Sequence, residues 1–244
     1  ASLNSYTLNN GVQLVAFHPL ILGTFQNRME KMNFIVDLVV TRHLTTFTHS
    51  VMVSYLAEAI GKHILAARPE LLRIPSSYLE GNVYASPAEV LDYIVPAALF
   101  HDIGKNGMIP IINTQHRKLN DYEFNIIQTH PQKGSDYLSS DPDFLIYQPV
   151  ALGHHRSYDG TRGYPLSFDN TASPYRDAID LIHICDCLDA ATDYLSRNYH
   201  RAKPFDVVLD ELKAGRGTEY NPDMVDVILS DRELYNDLKM LTEQ

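Results

Sequence analysis

Apolar side chains recur every three to four residues along most of the chain from about Phe25 onward, which is the spacing expected of helices with one buried face. The clearest run predicts a helix from about Thr46 to Ala67, with an apolar face formed by Val53, Leu56, Ala57, Ile60 and Ile64. Alternating patterns typical of strands are almost absent after residue 25. The pattern therefore predicts an all-α domain, a helical bundle of seven to ten helices.

Residues typical of helix starts divide the middle of the chain into several predicted helices. Asn120 is followed three residues later by Glu123, a pair typical of the capping box that begins a helix. This helix is predicted to end near Thr129, and Pro131 suits the first turn of the next one. A further helix is predicted to end near Gly153, before a glycine-rich loop over residues 154 to 165.

The last third of the chain predicts four more helices. The longest spans about residues 175 to 199, and its apolar run is continuous enough for a buried position. Pro204 and Pro222 suit first-turn positions of the next two helices. Ser230, with Glu233 three residues later, is predicted to cap the final helix.

The first 24 residues have a different pattern. Two short runs flank Asn10-Gly11, a dipeptide that favours a tight turn between paired strands. We therefore predict an N-terminal segment of residues 1–24 with hairpin character, which is a candidate for the tail of an upstream domain. Residues 25–244 are predicted to form one helical domain.

A histidine and an aspartate stand side by side after the apolar, helix-like run of residues 90 to 100, which Pro96 is expected to bend or interrupt. The composition of this run predicts that His101 and Asp102 reach the interior, where an unpaired carboxylate is strongly disfavoured. A metal ion or a fixed cation is therefore the expected neighbour of Asp102. Gly104 is predicted to let the backbone leave the helix, which places Lys105 just outside it, where an anion can be bound.

Other histidines at helix ends and in loops complete a candidate metal-ligand set. Imidazole and carboxylate ligands together suit iron, manganese or zinc, and the candidates are His49, His101, Asp102, His130, His154, His155 and Asp186. Seven ligands are too many for one ion, whereas two ions that share Asp102 and a bridging hydroxide account for the number. Such a pair favours in-line displacement at a phosphate. The predicted reaction is phosphoester hydrolysis, with Asp102 and Lys105 as its catalytic residues.

Each histidine taken alone has a simpler interpretation. A histidine on a helix face, such as His49, is more often a hydrogen-bonded core residue than a metal ligand. The ordered conjunction of the seven candidates favours the metal site over separate structural roles. The remaining histidines are assigned structural roles, and they are His18, His43, His63, His116, His183 and His200.

Composition limits the kinds of binding partner and of cellular compartment that we expect. The 244-residue chain has a net charge of −10, which argues against a nucleic-acid polymer as partner but leaves a small anionic ligand open. The two cysteines, Cys185 and Cys187, diverge if their run is helical, so we expect neither a disulfide nor a thiolate metal site. No apolar run approaches eighteen residues and no basic, apolar leader precedes residue 25, so we expect no membrane span and a reducing, cytoplasmic location.

The motifs, taken in order, resemble those of HD-GYP domains, a branch of the HD phosphohydrolase superfamily. The resemblance spans about residues 45 to 230 and is carried by His101-Asp102-Ile103-Gly104-Lys105, His130-Pro131, Gly153-His154-His155, Asp159-Gly160, Gly163-Tyr164-Pro165 and Asp186-Cys187-Leu188-Asp189-Ala190. It implies a helical, bacterial, cytoplasmic phosphodiesterase that opens cyclic di-GMP to the linear dinucleotide pGpG, and in some members continues to GMP.

The resemblance also implies roles for individual residues. The seven candidates above match the metal ligands, and Lys105 and Arg197 match phosphate-contacting residues. The substrate pocket is matched by Asp159, Gly160, Gly163, Tyr164 and Pro165. Members with three metals carry a glutamate one helical turn before the first ligand, where this chain has Thr45. We therefore expect two divalent ions, iron or manganese first, with zinc, cobalt or nickel as alternatives.

Two other functions remain open from the sequence. The domain could bind cyclic di-GMP without hydrolysing it, as a silent receptor or an interaction module. It could also hydrolyse another cyclic dinucleotide. The resemblance further suggests a diguanylate cyclase domain or an upstream sensor domain as a protein partner.

Overall fold

Helices account for most of the regular structure in the computed structural model, which describes residues 4–7, 13–16, 23–42, 44–76, 83–108, 118–193 and 202–243. Ten α-helices lie within these ranges: α1 Arg28–Arg42, α2 Leu44–Ala67, α3 Pro87–Phe100, α4 Asp121–Ile127, α5 His130–Ser139, α6 Gln148–Gly153, α7 Arg176–Thr192, α8 Phe205–Ala214, α9 Pro222–Ser230 and α10 Arg232–Thr242. The all-α prediction is confirmed, and the number of helices falls within the predicted range.

The N-terminal segment contains the two described strands. Strand β1, Asn4–Thr7, pairs antiparallel with β2, Gln13–Ala16. Asn4 lies opposite Ala16 and Thr7 lies opposite Gln13. The predicted turn at Asn10-Gly11 lies outside the described residues, and the boundary near residue 24 stays a prediction.

Helices α2, α3 and α7 form the centre of the domain, and α2 packs against the other two. The apolar face predicted for α2 is buried, because Val53, Leu56, Ala57, Ile60 and Ile64 are each 0% exposed. Helix α7 is buried along most of its length, from Ala178 to Leu188. Each of these three helices therefore has a fixed position in the core and can hold a functional side chain rigidly.

Capping explains where several helices begin. The predicted capping box at α4 is present, since Asn120 Oδ1 accepts from Glu123 N at 2.9 Å and Glu123 Oε2 accepts from Asn120 N at 2.9 Å. The predicted cap of α10 is wrong by one residue. Asp231 caps this helix by accepting from Glu233 N at 2.9 Å, whereas the Ser230 hydroxyl donates to Asp226 O in α9.

Two other helix boundaries differ from the sequence prediction. Helix α7 ends at Thr192, because Asp193 already has an extended backbone, and the rest of the span predicted to reach residue 199 is outside the described part. Pro204 lies immediately before α8 as its cap, rather than in the first turn. Pro222 opens α9 as predicted, and α3 continues through Pro96 to Phe100.

Cys185 is buried and Cys187 is half-buried on α7, and no disulfide joins these two described residues. Among the helices that the structure describes, none is both long enough and apolar enough to cross a membrane.

A buried carboxyl on α7 gives the fold a specific pH dependence. Asp180 is 3% exposed and accepts from Asn221 Nδ2 at 3.1 Å. Burial raises the pKa of Asp180 to about 7, against the lowering effect of Asn221. Since the folded pKa lies above the unfolded value, the stability contributed by this carboxyl is present at acid pH and is lost as the pH rises towards 7.

We expect Asp180→Asn to remove this dependence. Between pH 4.5 and pH 8, the free energy of unfolding of the wild type should fall by about 2 to 4 kcal/mol relative to that of the variant. Urea denaturation of both proteins at several pH values measures the difference. Asp210→Asn, at an exposed position on α8, is the control, and a difference that is constant with pH for Asp180→Asn would contradict the assignment.

Candidate metal centre

The structure brings all seven candidate ligands into two neighbouring groups. The first group contains Asp102, His130, His154 and His155, and the second contains His49, His101 and Asp186. Within each group, one ligand atom of every residue lies within 4.8 Å of the others. Side chains that are as many as 137 positions apart in sequence therefore form one cluster, which could hold two metal ions.

Helix ends and the core helices place these side chains. His49 lies near the start of α2, and Asp186 is held in the buried helix α7. His101 follows the last residue of α3, and His130 is the first residue of α5. His154 and His155 follow α6 in the same way. Helix ends suit this purpose because the backbone there changes direction and can aim side chains into the space between helices.

Backbone carbonyls fix the orientation of three imidazoles. His101 Nδ1 donates to Ala98 O at 2.6 Å, and His130 Nδ1 donates to Ile127 O at 2.7 Å. His154 Nδ1 donates to Ala151 O at 2.9 Å. A carbonyl oxygen can only accept, so Nδ1 carries the hydrogen in each ring. In the neutral imidazoles, each Nε2 therefore presents a lone pair to the cluster.

This arrangement of lone pairs suits a bound cation. The Nε2 atoms of His130 and His154 lie 3.1 Å apart, a distance at which two lone pairs repel each other. His101 Nε2 is buried and has no hydrogen-bond partner in the part of the chain that the structure describes. Buried polar atoms without partners are destabilising. The donor set therefore fits metal ions bound through imidazole Nε2 and carboxylate oxygens.

Asp102 lies between the two groups and faces both. Its Oδ1 is 3.1 Å from His130 Nε2 and 3.7 Å from His154 Nε2. Its Oδ2 is 3.6 Å from His49 Nε2 and 3.5 Å from His101 Nε2. This position suits a carboxylate shared by two ions, as the sequence predicts.

For every candidate except His49, the electrostatic environment favours the protonation state that a metal ligand needs. Burial lowers the pKa of His101, His130 and His154, and it lowers that of His155 furthest. Burial alone would raise the pKa of Asp102, but Lys105 and the neighbouring histidines hold it well below its usual range. Neutral imidazoles beside an ionised carboxylate are competent ligands without prior loss of a proton.

Asp189 belongs to the site, although the sequence analysis did not select it as a site residue. Its Oδ2 accepts from His49 Nδ1 at 2.5 Å, and His49 Nε2 lies 3.1 Å from Asp186 Oδ1. Burial acts to lower the pKa of His49, but Asp186 and Asp189 together raise it to about 9. Asp189 therefore orients the ring in the way that carboxylates orient metal-binding histidines. Its spacing of three residues from Asp186, on one helix face, is the signal that could have identified it.

We expect Asp189→Ala to lower Mn²⁺ affinity about 10- to 100-fold, because His49 loses the acceptor that fixes its ring. Asp189→Asn retains a neutral acceptor and should lose less. Competition with a fluorescent chelator measures the affinities, and Asp210→Ala on the exposed face of α8 is the control. Equal affinities in wild type and Asp189→Ala would show that Asp189 has no such role.

Gly104 has a different role from the predicted one. Helix α3 already ends at Phe100, and Gly104 lies in a short 3₁₀ helix, Ile103–Gly107. A Cβ atom on Gly104 would lie 2.0 Å from His130 O and 2.5 Å from Gly134 N. Glycine is therefore required because the segment that carries Asp102 packs directly against the backbone of α5.

Lys105 and Thr45 complete the description of the cluster. The Lys105 ammonium contacts Asp102 Oδ2 directly, and its side chain is 21% exposed. This places it at the edge of the centre, between the buried carboxylate and solvent. Thr45 is exposed at the start of α2 and belongs to neither of the two ligand groups that the described residues form.

The predicted substrate loop lies against candidate metal ligands. Tyr164 N donates to His155 O at 3.2 Å, and the two rings lie 4.5 Å apart between centroids. Gly163 has a positive φ, and a Cβ there would lie 1.8 Å from His155 O. Gly160 also has a positive φ, and the peptide bond before Pro165 is cis. The loop is thus fixed on the backbone of a candidate ligand.

The two remaining substrate-binding candidates are Asp159 and Arg197. Asp159 is exposed, and its Oδ1 accepts from Thr161 N at 2.9 Å and Ser157 Oγ at 2.7 Å. These bonds lower the pKa of Asp159 to about 2. Its carboxylate therefore stabilises the turn of the loop, and a contact with substrate stays a prediction. Arg197 lies outside the described residues.

Two of the histidines assigned structural roles, His63 and His183, belong to neither ligand group in the described structure. His183 donates through Nδ1 to His154 O at 2.6 Å, and its Nε2 lies 3.3 Å from Glu219 Oε1. His63 Nδ1 lies 2.7 Å from Asp231 Oδ2. His18, His43, His116 and His200 lie outside the described residues.

Comparison with known proteins agrees with this site. The model of the HD domain family matches residues 46–198. A cyclic di-GMP phosphodiesterase of Vibrio cholerae is 26% identical over 82% of this chain and 41% of its own length. The cyclic di-GMP phosphodiesterase response regulator RpfG of Xanthomonas campestris is 33% identical over 59% of this chain and 37% of its own length. The 3'3'-cGAMP-specific phosphodiesterase 2 of Vibrio cholerae is 25% identical over 82% of this chain and 37% of its own length.

The chain spans about two fifths of the length of these curated relatives. The family match is longer than half of the chain and includes His49, His101, Asp102, His130, His154, His155 and Asp186. The described geometry joins these same residues in one buried cluster. The chain therefore belongs to the HD domain family.

Proposed function

We propose that this chain is a metal-dependent phosphodiesterase that hydrolyses cyclic di-GMP to the linear dinucleotide pGpG. The observation that supports this most strongly is the position of Asp102 between two ligand groups, with Lys105 at their solvent-exposed edge. Two adjacent cation sites suit a phosphodiester, because both the attacking and the leaving oxygen need charge stabilisation. Two of the three relatives described above are named cyclic di-GMP phosphodiesterases.

The chain's own residues have separable tasks in this proposal. His130, His154 and His155 would hold one ion, His49, His101 and Asp186 would hold the other, and Asp102 would contact both. Divalent ions at these positions supply a nucleophile from water at neutral pH and neutralise phosphate charge. Lys105 keeps Asp102 ionised, and its ammonium can donate a hydrogen bond to a phosphate oxygen at the edge of the site. The ring of Tyr164 forms a planar wall beside His155, against which a purine can stack.

A second substrate deserves a direct test, because one relative is named for 3'3'-cGAMP. It covers the same 82% of this chain as the Vibrio cholerae cyclic di-GMP enzyme, at 25% against 26% identity. Overall similarity therefore favours neither substrate clearly. The two dinucleotides share the phosphodiester ring and differ in one purine, so the choice between them depends on contacts with the bases rather than on the metal ligands.

The decisive experiment combines metal analysis with product chromatography. Protein purified without oxygen and reloaded with Fe²⁺ or Mn²⁺ should contain about two ions per chain and should convert cyclic di-GMP to pGpG. Competition with equal concentrations of 3'3'-cGAMP and cyclic di-AMP ranks the substrates. Formation of GMP would indicate a second hydrolytic step. Absence of turnover with every metal would contradict the proposal, and tight binding without turnover would indicate a receptor instead.

The proposed setting is the bacterial cytoplasm, where cyclic dinucleotides serve as signals. The curated relatives described above are bacterial proteins and are longer than this chain. A sensor domain or a diguanylate cyclase domain as partner stays a prediction.

A further inference from the structure

Arg156 is a buried arginine whose charge is not used in an ion pair. It directly follows His154 and His155, and it is only 4% exposed. In the described ranges, no carboxylate lies within ion-pair distance of its guanidinium, although sixteen other basic side chains or imidazoles do form such pairs. Burying a guanidinium is costly unless its donors are satisfied. The Nε atom of Arg156 has no hydrogen-bond partner among the described residues, so the partners of its two Nη atoms indicate what the residue does.

Those partners are three carbonyl oxygens of the substrate loop. Arg156 Nη1 donates to Arg162 O at 2.8 Å and to Gly163 O at 3.4 Å. Nη2 donates to Gly160 O. The loop from Gly160 to Gly163 thus points three carbonyl oxygens at one guanidinium. Arg156 serves as the internal support of this loop.

Backbone hydrogen bonds also hold this loop against the segment that begins at His155. Ser157 N donates to Arg162 O at 3.2 Å, and Tyr164 N donates to His155 O at 3.2 Å. Because Gly163 leaves no space for a Cβ beside His155 O, the loop lies in van der Waals contact with the ligand backbone. A shift of the loop would therefore move Tyr164 relative to His155.

We propose that Arg156 is a positioning residue, which holds the Gly160–Gly163 loop so that the Tyr164 ring forms the base-stacking wall of the substrate pocket. The proposal rests on the proposed function for the nature of the ligand. It adds that recognition of the purine depends on an arginine that contacts neither the metal ligands' side chains nor, in this arrangement, the substrate. Arg156 acts only through the loop that it supports.

Lysine cannot replace arginine in this role. The guanidinium is a rigid, planar fork whose two terminal nitrogens reach separate acceptors, whereas an ammonium is a single point of charge. Arg156→Lys therefore preserves the charge and most of the volume, but it can bond only part of the three-carbonyl set. This makes it a suitable test variant, because it separates loop support from charge and is less disruptive than an apolar substitution.

The test compares Arg156→Lys with wild type and with Arg232→Lys, a control at an exposed position on α10. Hydrogen exchange should be at least about tenfold faster at the amides of residues 157–164 in Arg156→Lys, and unchanged in α2 and α7. With Mn²⁺ restored, the ion content should equal that of wild type. KM for cyclic di-GMP should rise about tenfold with little change in kcat, while hydrolysis of methyl p-nitrophenyl phosphate, a phosphodiester without a purine, should be unchanged.

Each result bears on one part of the proposal. Exchange of residues 157–164 at the wild-type rate would overturn the support role of Arg156. Faster loop exchange with an equal loss for both substrates, or with no loss for either, would overturn the link to base recognition. If the wild type hydrolyses neither substrate, the proposed function fails, and affinity for cyclic di-GMP measured by calorimetry replaces KM. In that case, unaltered affinity in Arg156→Lys would overturn the inference.

Discussion

Replacing Asp102 with alanine is expected to abolish hydrolysis of cyclic di-GMP, with a loss of at least about a thousandfold. Asp102 is the residue whose two carboxylate oxygens face the two ligand groups separately. Its removal leaves three imidazoles in one group, and His49, His101 and Asp186 in the other, without a shared negative charge. Both ions lose a ligand at once, so we expect their content to fall together with activity.

The fold should survive this substitution. Asp102 is buried, but its cationic neighbour Lys105 has a side chain that is 21% exposed and can turn towards water. Metal content by mass spectrometry, thermal unfolding and product chromatography should therefore separate loss of the centre from loss of structure. Asp210→Ala provides the matched exposed control. A variant that keeps two ions and measurable turnover would exclude a shared role for Asp102.

Replacing Gly104 with alanine is expected to destabilise the domain by about 3 kcal/mol or more, a large value for the addition of one methyl group. The added Cβ would lie 2.0 Å from His130 O and 2.5 Å from Gly134 N. Both neighbours are backbone atoms of α5, so the clash cannot be relieved by a side-chain rotation. Relief requires the segment with Asp102 to move away from the helix that carries His130, which should also weaken metal binding.

Gly107→Ala provides an unusually close control, because it lies in the same short 3₁₀ helix. A Cβ at Gly107 would meet the Tyr137 hydroxyl at 3.1 Å, which is the end of a side chain that can shift. Urea denaturation should therefore give a change within about 1 kcal/mol for this variant. Similar destabilisation by the two alanines would mean that general loss of glycine flexibility, and not contact with α5, explains the effect.

The sequence predicts the helices well where the local signal is sufficient. The apolar face of α2 and the capping box of α4 depend on residues three or four apart, and both are present. At the start of α10, Ser230 and Asp231 are adjacent and both are good caps. In the structure Ser230 bonds back to Asp226 O in its own helix, and Asp231 caps the next one.

Prediction of the candidate site is also limited where a role depends on residues far apart in the sequence. The seven ligands could be selected because their residue types and order form a known pattern. For Asp189 the sequence offers only its spacing from Asp186, because its partner His49 lies 140 positions away. Arg156 has no signal in the sequence, because its partners are carbonyl oxygens, which every residue possesses. The role of Gly104 was misread for a related reason, because a glycine at a helix exit and one at a close packing contact look alike in sequence.

The anchoring of the imidazole rings to main-chain oxygens has a consequence for metal choice. His101, His130 and His154 are each tied to a carbonyl three residues earlier in the chain, so folding itself sets their geometry. Capture of an ion then demands little rearrangement, and a rigid cradle of nitrogen and oxygen donors distinguishes poorly between first-row cations of similar size. Which of these cations the site binds would therefore depend on their supply, and manganese could replace iron where iron is scarce.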